Sequence, residues 1–503
     1  MLHARLFADS PKYRASHFQP LKAPLIVPQP ADSEQQKTVQ SEEDAYLDGN
    51  PSVDRPLFVQ FCANDPECFL EAAKLVQPYC DAVDLNLGCP QGIARRGNYG
   101  SFLQEDWSTI HKLIKNLHEN LDVPVTAKMR ILDTKERTLE YAKMILDAGA
   151  SIITVHGRQR EQKGHNTGLA DWTVLRYLRE QLPPETVIFA NGNILQHDDI
   201  QKCLDETKVD GVMSAEGNLY DPSIFATPPP IGEEGREYFR GRDGKGGYRA
   251  DAVLRRYLDI IHKYVLGEES PKRAPLFLPS DEAPRIPDQA QADVKGQVSE
   301  DDQPPAKKRK LEHIKPETKN GKQEKVTQAN FVAMQAHCFH ILRPLVSQHH
   351  DVRDALARCR AGDIDAYEHV LTLTEKAVKE GLLAYEANPA NFEEEAKDEE
   401  SKEGLSAHDS SVAAVRRCKR PYWICQPYVR PLPKEALEKG SMSLSKKDKK
   451  KLAKAEEDAK KSDVEPGRTT EKVVQPAEER QASYGALERD ARVEVPREGL
   501  VCG

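Results

Sequence analysis

The sequence predicts an α/β fold, a TIM-type (β/α) barrel followed by a small helical domain and a disordered charged tail. Between residues 57 and 225, short β-rich runs alternate with amphipathic helices. This alternation is typical of parallel strands joined by crossover helices, in a barrel or in a doubly wound sheet. The barrel is preferred because polar residues recur just past the strand ends, where barrel enzymes carry their chemistry.

Six strands and three well-marked helices fit this fold. The strands are predicted at 57–61, 82–86, 124–129, 152–156, 187–190 and 211–214. One helix begins at Asp65, an N-cap residue followed by proline. Another begins near Asp106, after which apolar residues recur at helical spacing. A third runs from Thr134 to a stop at Gly149.

The chain divides into three parts by composition. Residues 1–235 form the barrel domain, with an exposed loop insert at 21–56. Residues 248–386 have helical periodicity and surround a polar insert at 267–326, which we expect to be disordered. Residues 387–503 hold an acidic linker, a basic and aromatic segment and a disordered, lysine-rich tail. Only 38% of the chain is hydrophobic and 30% is charged, against a typical apolar share of about 45–50%.

Charge and cysteine usage limit the class of protein. The net charge of −9 does not indicate a nucleic-acid binder, although local patches matter more than totals. The ten cysteines include no Cys-x-x-Cys pair, which argues against a zinc ribbon and for reduced intracellular thiols. Neither a secretory signal nor a run of about 18–20 apolar residues occurs. We therefore expect no membrane or metal partner, a monomer, and a location in the cytoplasm, the nucleus or both.

Residues with chemistry follow each predicted strand at its carboxyl end. They are Gln60, the run from Asn86 to Gly92 that contains Cys89, Lys128 with Arg130, His156 with Arg158, Asn191-Gly192-Asn193, and Ser214-Ala215-Glu216-Gly217-Asn218. Six such groups, all at carboxyl ends, are hard to explain by folding needs alone.

The last two groups have the features of a phosphate site. Gly192 and Gly217 allow close backbone approach, and a short helix is expected to begin near Leu219. Barrels commonly bind phosphate after their last two strands. Lys128 and His156 would then face the ring system of a phosphorylated cofactor.

The motifs LNLGCPQ, KMR, HGR, NGN and SAEGN, in this order, resemble those of the tRNA-dihydrouridine synthases. The resemblance covers about residues 1–225. LGCP, SAEGN and the later PYWICQP at 421–427 are similar to the eukaryotic type that acts on D-loop positions 16 and 17. The resemblance implies FMN as cofactor, NADPH as reductant, and tRNA bound by the helical C-terminal domain.

The resemblance also implies roles for individual residues. Cys89 matches the catalytic acid and Asn86 a residue that touches the target uracil. Arg130 and Arg158 match positions that contact either flavin or RNA. The positions matching the flavin site and its phosphate cradle are Gln60, Lys128, His156, Asn191, Gly192, Asn193, Ala215, Glu216 and Gly217.

The implied reaction explains why a cysteine is needed. Reduction of the uracil C5–C6 bond requires a hydride at C6, which reduced flavin supplies, and a proton at C5. A thiol with an ordinary pKa near 8.5 is mostly protonated at neutral pH and can act as the general acid. The uridine must also leave its stack to reach the flavin.

The sequence departs from the family pattern at its start. Residues 1–6 resemble a stretch that family members carry after two strands and a helix, and six predicted strands fall short of the barrel's eight. We therefore expect an N-terminally truncated barrel. Two other functions stay open: a truncated paralogue that binds tRNA without flavin, and a barrel flavoprotein that reduces a free pyrimidine.

Three basic segments also allow two interpretations each. Residues 304–310 fit a nuclear-localisation patch or a solvated insert. Residues 446–461, rich in lysine, fit an RNA grip or a plain tail. Tyr422 and Trp423, beside Arg416, Arg417, Lys419 and Arg420, would either stack on RNA or dock the tail onto the helical domain.

Overall fold

The computed structural model describes residues 1–22, 46–164, 167–281, 328–393 and 417–428. Within these residues, seven parallel strands form one sheet in chain order. They are β1 (Leu2–His3), β2 (Phe58–Cys62), β3 (Ala82–Leu87), β4 (Val125–Arg130), β5 (Ile152–His156), β6 (Val187–Asn191) and β7 (Gly211–Met213). Each neighbouring pair is parallel, as the strand–helix alternation predicts.

The helices of the barrel lie between and after these strands, and the longer ones cover one face of the sheet. They are α1 (Ala4–Asp9), α2 (Pro11–Ala15), α3 (Pro66–Val76), α4 (Gly92–Gly97), α5 (Trp107–Asn120), α6 (Lys135–Asp147), α7 (Trp172–Gln181), α8 (Asp198–Thr207) and α9 (Glu216–Tyr220). The three predicted helix starts are confirmed. Asp65, Asp106 and Thr134 each accept a hydrogen bond from a backbone N–H three residues on, which satisfies a donor that the helix leaves unpaired.

The six predicted strands are all present, and β1 adds one that local pattern did not predict. Leu2 pairs with Phe61 and His3 with Cys62, so β1 extends the sheet beside β2. The outer strands β1 and β7 do not pair with each other within the described residues, and the barrel is not closed there.

The helical region has a hydrophobic core of its own, separate from the core of the barrel. A two-stranded hairpin, β8 (Tyr238–Arg240) and β9 (Gly246–Tyr248), leads into it. The helices are α10 (Ala250–Ile260), continued by a π-helical turn at Ile261–Leu266, then α11 (Ala329–Ile341), α12 (Arg343–Val346), α13 (His350–Arg358) and α14 (Ile364–Ala387). Trp423 is fully buried in this core. A Cβ at Gly381 would lie 2.4 Å from its ring, so glycine leaves room for the indole.

Two boundary predictions are corrected. The insert predicted as disordered from 267 is anchored up to Asp281, because Arg236 pairs with the Asp281 carboxylate at 2.7 Å and Leu276 is buried. The linker predicted from 387 is also packed at first, since Phe392 lies against Trp423 with ring centroids 5.0 Å apart.

The loop predicted as exposed at 21–56 is described only at its two ends. Leu21 forms a bridge with Tyr46, and Asn50 is buried, so this part of the loop packs on the barrel. The basic segments at 304–310 and 446–461, the acidic linker beyond 393, and Arg416 lie outside the described residues.

Candidate active site

Polar side chains share the face of the sheet opposite the helices, because side chains alternate along each strand. Strand register aligns them in three rows, from the middle of the strands to their carboxyl ends: Gln60, Asp84 and Thr126; Asn86, Lys128 and Thr154; Arg130, His156 and Asn191. The alternate residues, such as Leu85 and Val155, are fully buried against the helices. The rows place six of the thirteen predicted site residues together.

Cys89 lies in a loop just beyond β3, and hydrogen bonds fix both its backbone N–H and its backbone carbonyl. Its N–H donates to the Asn86 Oδ1 atom at 2.9 Å. Its carbonyl oxygen accepts from the Ser101 backbone N–H at 3.1 Å and hydroxyl at 3.0 Å. Gly100 has a positive φ of 64°, and a Cβ there would lie 2.8 Å from the same carbonyl. The side chain is 3% exposed.

Arg130 ties the Cys89 loop to the loop that follows β5. Its Nε donates to the Gly88 carbonyl at 2.7 Å, and its Nη1 donates to the Gln159 carbonyl at 3.1 Å. Burial lowers the pKa of Arg130 to about 10, while the nearby Cys89 opposes that shift. The guanidinium is therefore charged at neutral pH and within electrostatic reach of Cys89.

His156 is a neutral hydrogen-bond acceptor for Arg158. Burial first, then the positive charges of Lys128, Arg130 and Arg158, hold the pKa of His156 well below 6.5. The Arg158 Nη1 atom lies 2.9 Å from the His156 Nε2 atom. Since a guanidinium only donates, that nitrogen accepts and the ring proton is on Nδ1.

Arg158 also contacts the loop after β6. Its Nη2 donates to the Asn193 Oδ1 atom at 3.0 Å. Asn193 adopts a positive φ of 66°, and its amide bonds both the N–H and the carbonyl of Ala170. His156, Arg158 and Asn193 therefore form one connected group at the carboxyl ends of β5 and β6.

An open cleft lies over these strand ends, with about 740 Å³ of space when the adjoining open solvent is included. Gly192 has a φ of 108°, and a Cβ there would come within 2.6 Å of the Ala170 Cβ. A Cβ at Gly217 would lie 2.5 Å from the Ile194 carbonyl oxygen. A side chain at either position would collide with a neighbouring loop, so glycine allows these two cleft-lining segments to pack closely.

The donor set fits a phosphorylated, ring-bearing cofactor. Arg130 and Arg158 line the cleft with positive charge, and Asn191 places a buried Oδ1 atom there that lacks a hydrogen-bond partner among the described residues. An unpaired buried acceptor is costly, and a ring N–H of a bound cofactor would satisfy it.

Nine of the thirteen predicted site residues line this cleft: Arg130, His156, Arg158, Asn191, Gly192, Asn193, Ala215, Glu216 and Gly217. Of the other four, Gln60, Asn86 and Lys128 lie on β2, β3 and β4 beside it, and Cys89 lies in the loop after β3. The helix expected near Leu219 begins earlier, at Glu216. Its first turn is closed by Ser214, whose hydroxyl accepts from the Asn218 N–H at 3.1 Å.

Sequence reasoning missed several residues of the site. Asp84 and Thr126 lie in the first polar row, and the period-two spacing of Asp84 from Asn86 and of Thr126 from Lys128 could have indicated both. Gln162 and Lys163 line the cleft from the loop after β5. No local pattern marks these two residues, because tertiary packing alone brings that loop over the cleft.

A family model described as "Dihydrouridine synthase (Dus)" matches residues 28–238. A tRNA-dihydrouridine(16/17) synthase of Saccharomyces cerevisiae, whose name includes NAD(P)(+), is 40% identical over 434 residues. The match covers 86% of this chain and 77% of the yeast protein. The chain belongs to the dihydrouridine synthase family. The resemblance predicted from the motifs is therefore confirmed, and family membership supports a flavin as the cofactor.

Two further relatives show how far the similarity extends in this family. A protein of the same name from Schizosaccharomyces pombe is 39% identical over 433 residues, which are 86% of this chain and 81% of its own. A tRNA-dihydrouridine(16/17) synthase-like protein of Mus musculus is 50% identical over 197 residues, which are 39% and 41% of the two chains.

Two features that would suggest other classes of protein are absent from the described ranges. No helix there is long and apolar enough to cross a membrane. No group of three or more His, Cys, Asp or Glu side chains is placed to hold a metal ion.

Proposed function

We propose that this chain reduces uridines 16 and 17 in the D loop of tRNA to dihydrouridine, with FMN as cofactor and NADPH as reductant. The observation that carries this proposal is the position of Cys89. It lies in a loop whose backbone is fixed by hydrogen bonds, beside the cleft. The glycines and arginines of that cleft, together with the Asn191 Oδ1 atom that lacks a partner among the described residues, suit a phosphorylated flavin. The names of the yeast relatives support the substrate and the positions.

FMN would lie across the carboxyl ends of the strands. Gly192, Asn193 and the Ala215–Gly217 loop would hold its phosphate with Arg158, while Asn191, Lys128 and Gln60 would contact its rings. The chemistry that FMN supplies when bound and reduced is a hydride for C6 of the uracil. His156, being neutral, keeps the Arg158 guanidinium aimed into the cleft.

Cys89 would give the proton that C5 of the uracil requires. Loss of that proton leaves a thiolate, and the charged Arg130 guanidinium beside it stabilises this product. Asn86 holds the Cys89 N–H through its Oδ1 atom, and its row neighbour Lys128 lies on the adjacent strand.

Substrate binding requires a basic surface and a flipped base. Arg95 and Arg96 are exposed on α4, which directly follows the Cys89 loop, where they would meet phosphates of the D loop. We expect the helical region to bind the body of the tRNA. We also expect a monomer that acts in the cytoplasm, the nucleus or both.

The first test is dihydrouridine at positions 16 and 17 in tRNA from a strain that lacks the gene, complemented with wild type or Cys89→Ala. We expect loss of both modifications in the deletion, recovery with wild type, and no recovery with Cys89→Ala. The purified Cys89→Ala protein should keep its flavin colour and its tRNA affinity, because the thiol contributes to neither.

The controls separate the competing functions. Unchanged dihydrouridine in the deletion strain would point to reduction of a free pyrimidine instead. A chain that stays colourless after addition of FMN, yet binds tRNA, would identify a paralogue that works without flavin. Wild-type modification by Cys89→Ala would remove Cys89 from the acid role.

A further inference from the structure

Asp84 is a buried carboxylate in the first polar row that the proposed reaction does not use. It is 6% exposed. Its Oδ2 accepts from the Gln60 Nε2 atom at 2.7 Å, and its Oδ1 accepts from the Thr126 hydroxyl at 2.7 Å. Burial raises the pKa of Asp84, and these two hydrogen bonds and the charge of Lys128 oppose the shift. A carboxyl group buried at such a cost calls for a reason.

A chain of hydrogen bonds leads from this carboxylate to the Cys89 loop. The Gln60 Oε1 atom accepts from the Asn86 Nδ2 atom at 2.8 Å. The Asn86 Oδ1 atom in turn accepts from the backbone N–H groups of Gly88 at 3.1 Å and Cys89 at 2.9 Å.

The groups at the two ends of this hydrogen-bond chain give every link in it the same donor-to-acceptor direction. The Asp84 Oδ2 atom accepts the hydrogen bond at one end, so Gln60 presents its NH₂ group to Asp84. Backbone N–H groups only donate, so Asn86 must present its oxygen to Cys89. Reversing either amide would set donor against donor or acceptor against acceptor. Asp84 supplies the acceptor that anchors the Gln60 end of this hydrogen-bond chain, although it touches neither Cys89 nor the cleft.

We propose that Asp84 is a positioning residue, which acts through Gln60 and Asn86 to hold the Cys89 loop where its thiol can protonate the uracil. The protonation step rests on the proposed function. The loop-holding role stands on the hydrogen-bond chain alone.

The hydrogen-bond chain predicts different effects for three substitutions in the first polar row. Asp84→Ala removes the acceptor, so the Gln60 amide can rotate and the Cys89 loop loosens. Asp84→Asn keeps an oxygen for Gln60, because its NH₂ group can donate to a Thr126 hydroxyl that turns to accept. Thr126→Val removes the other partner of Asp84 and leaves the path to Cys89 intact. It is the matched control, since Thr126 is also buried.

The first measurement follows alkylation of Cys89 by iodoacetamide in the absence of tRNA, resolved by peptide mass spectrometry. In wild type the nearly buried thiol should react slowly. We expect Asp84→Ala to react about tenfold faster or more, as a loosened loop exposes the thiol. Asp84→Asn and Thr126→Val should stay within about twofold of wild type, which is the spread expected when the amide orientation is kept.

The second measurement separates the half-reactions. Flavin reduction by NADPH should change much less in Asp84→Ala than reoxidation by tRNA, which should slow by about 10- to 100-fold, the range expected for a displaced catalytic group. The solvent isotope effect on reoxidation by tRNA should rise in Asp84→Ala, because proton transfer then limits the rate. Asp84→Asn should restore the tRNA step.

Two outcomes would overturn the role of Asp84. One is a folded Asp84→Ala protein with wild-type alkylation and wild-type tRNA reduction. The other is an equal loss in Thr126→Val, which would make Asp84 a contributor to stability alone. If Asp84→Ala does not fold, Gln60→Met cuts the same chain one link later, and unchanged alkylation in that variant also contradicts the proposal. The alkylation result does not depend on the reaction, so it is independent of the test on Cys89→Ala.

Discussion

His156 shows how the chemistry of a single residue depends on its neighbours. Alone in solution its imidazole would be partly protonated near neutral pH. In the barrel, burial and three surrounding cations hold the pKa of His156 well below 6.5. The neutral ring accepts a hydrogen bond from Arg158, which lines the cleft with Asn193. Protonation of His156 would turn that acceptor into a donor and break the contact.

This depressed pKa predicts a stability that falls in mild acid. The unfolded chain, with a His156 pKa near 6.5, binds the proton before the folded chain does as the pH drops. The stabilising contribution is therefore complete above that value and lost below it. Between pH 7 and pH 5.5 the free energy of unfolding should fall by about 1 kcal/mol from this residue.

Urea unfolding of the flavin-free protein at the two pH values measures this loss. His156→Gln should show a smaller decrease than wild type, because glutamine does not titrate. An equal decrease in the two proteins would mean that His156 is not the group responsible.

At the scale of elements, the segment 417–428 joins the helical region to the barrel. On the helical side, the Trp423 carbonyl accepts from the Ala250 N–H at 2.8 Å, and the Cys425 N–H donates to the Tyr248 carbonyl at 3.0 Å. On the barrel side, the Arg417 Nη1 atom lies 2.6 Å from the Asp199 Oδ1 atom. The segment therefore spans both cores.

Asp199 links the Arg417 ion pair to the backbone that lines the cleft. Its Oδ2 accepts from the backbone N–H groups of Leu195 and Gln196 at 2.9 and 3.0 Å. Leu195 and its neighbour Ile194 line the cleft, and the Ile194 carbonyl accepts from the Ser214 hydroxyl at 3.0 Å. The distant arginine thus pairs with the carboxylate that shapes one wall of the cleft.

Arg417→Met should therefore weaken both the fold and the binding of FMN. Asp199 is nearly fully buried, and loss of its charged partner should cost about 1–3 kcal/mol of unfolding free energy. Thermal unfolding and titration of the flavin-free protein with FMN, followed by flavin fluorescence, measure the two effects.

Arg176→Met is the matched control, because Arg176 pairs with Glu180 on the exposed face of α7, where ion pairs contribute little. Wild-type FMN affinity in Arg417→Met would show that the contact does not reach the cleft.

At the scale of the whole molecule, Trp423 is the anchor of the helical region. It is fully buried and has edge-on contacts with Phe239, Tyr385 and Phe392. Of the two candidate roles for this tryptophan, stacking on RNA is excluded, because a side chain enclosed by protein does not stack on an RNA base. Its contribution is to packing.

Trp423→Ala should destabilise the helical region by about 3–5 kcal/mol, as loss of a large buried aromatic side chain usually does. Because the barrel has its own core, we expect tRNA affinity to fall while FMN affinity changes little. Hydrogen exchange of peptides from α10 and α14, compared with peptides from β3 and β4, localises the loss.

Tyr428→Ala serves as the control for this experiment, because that ring is partly exposed at the end of the same segment. Equal loss of protection in barrel and helical peptides would mean that the two cores unfold together.

The order of the strands, the starts of α3, α5 and α6, and the Cys89 motif could all be predicted from the sequence. Alternation, capping and turn residues act between neighbours in the chain, so local patterns encode them. The pairing of Arg417 with Asp199, the neutral state of His156, the burial of Trp423 and the chain from Asp84 to Cys89 were decided only by the tertiary structure. These features depend on strand register and on packing between residues far apart in sequence, and local periodicity carries no information about either.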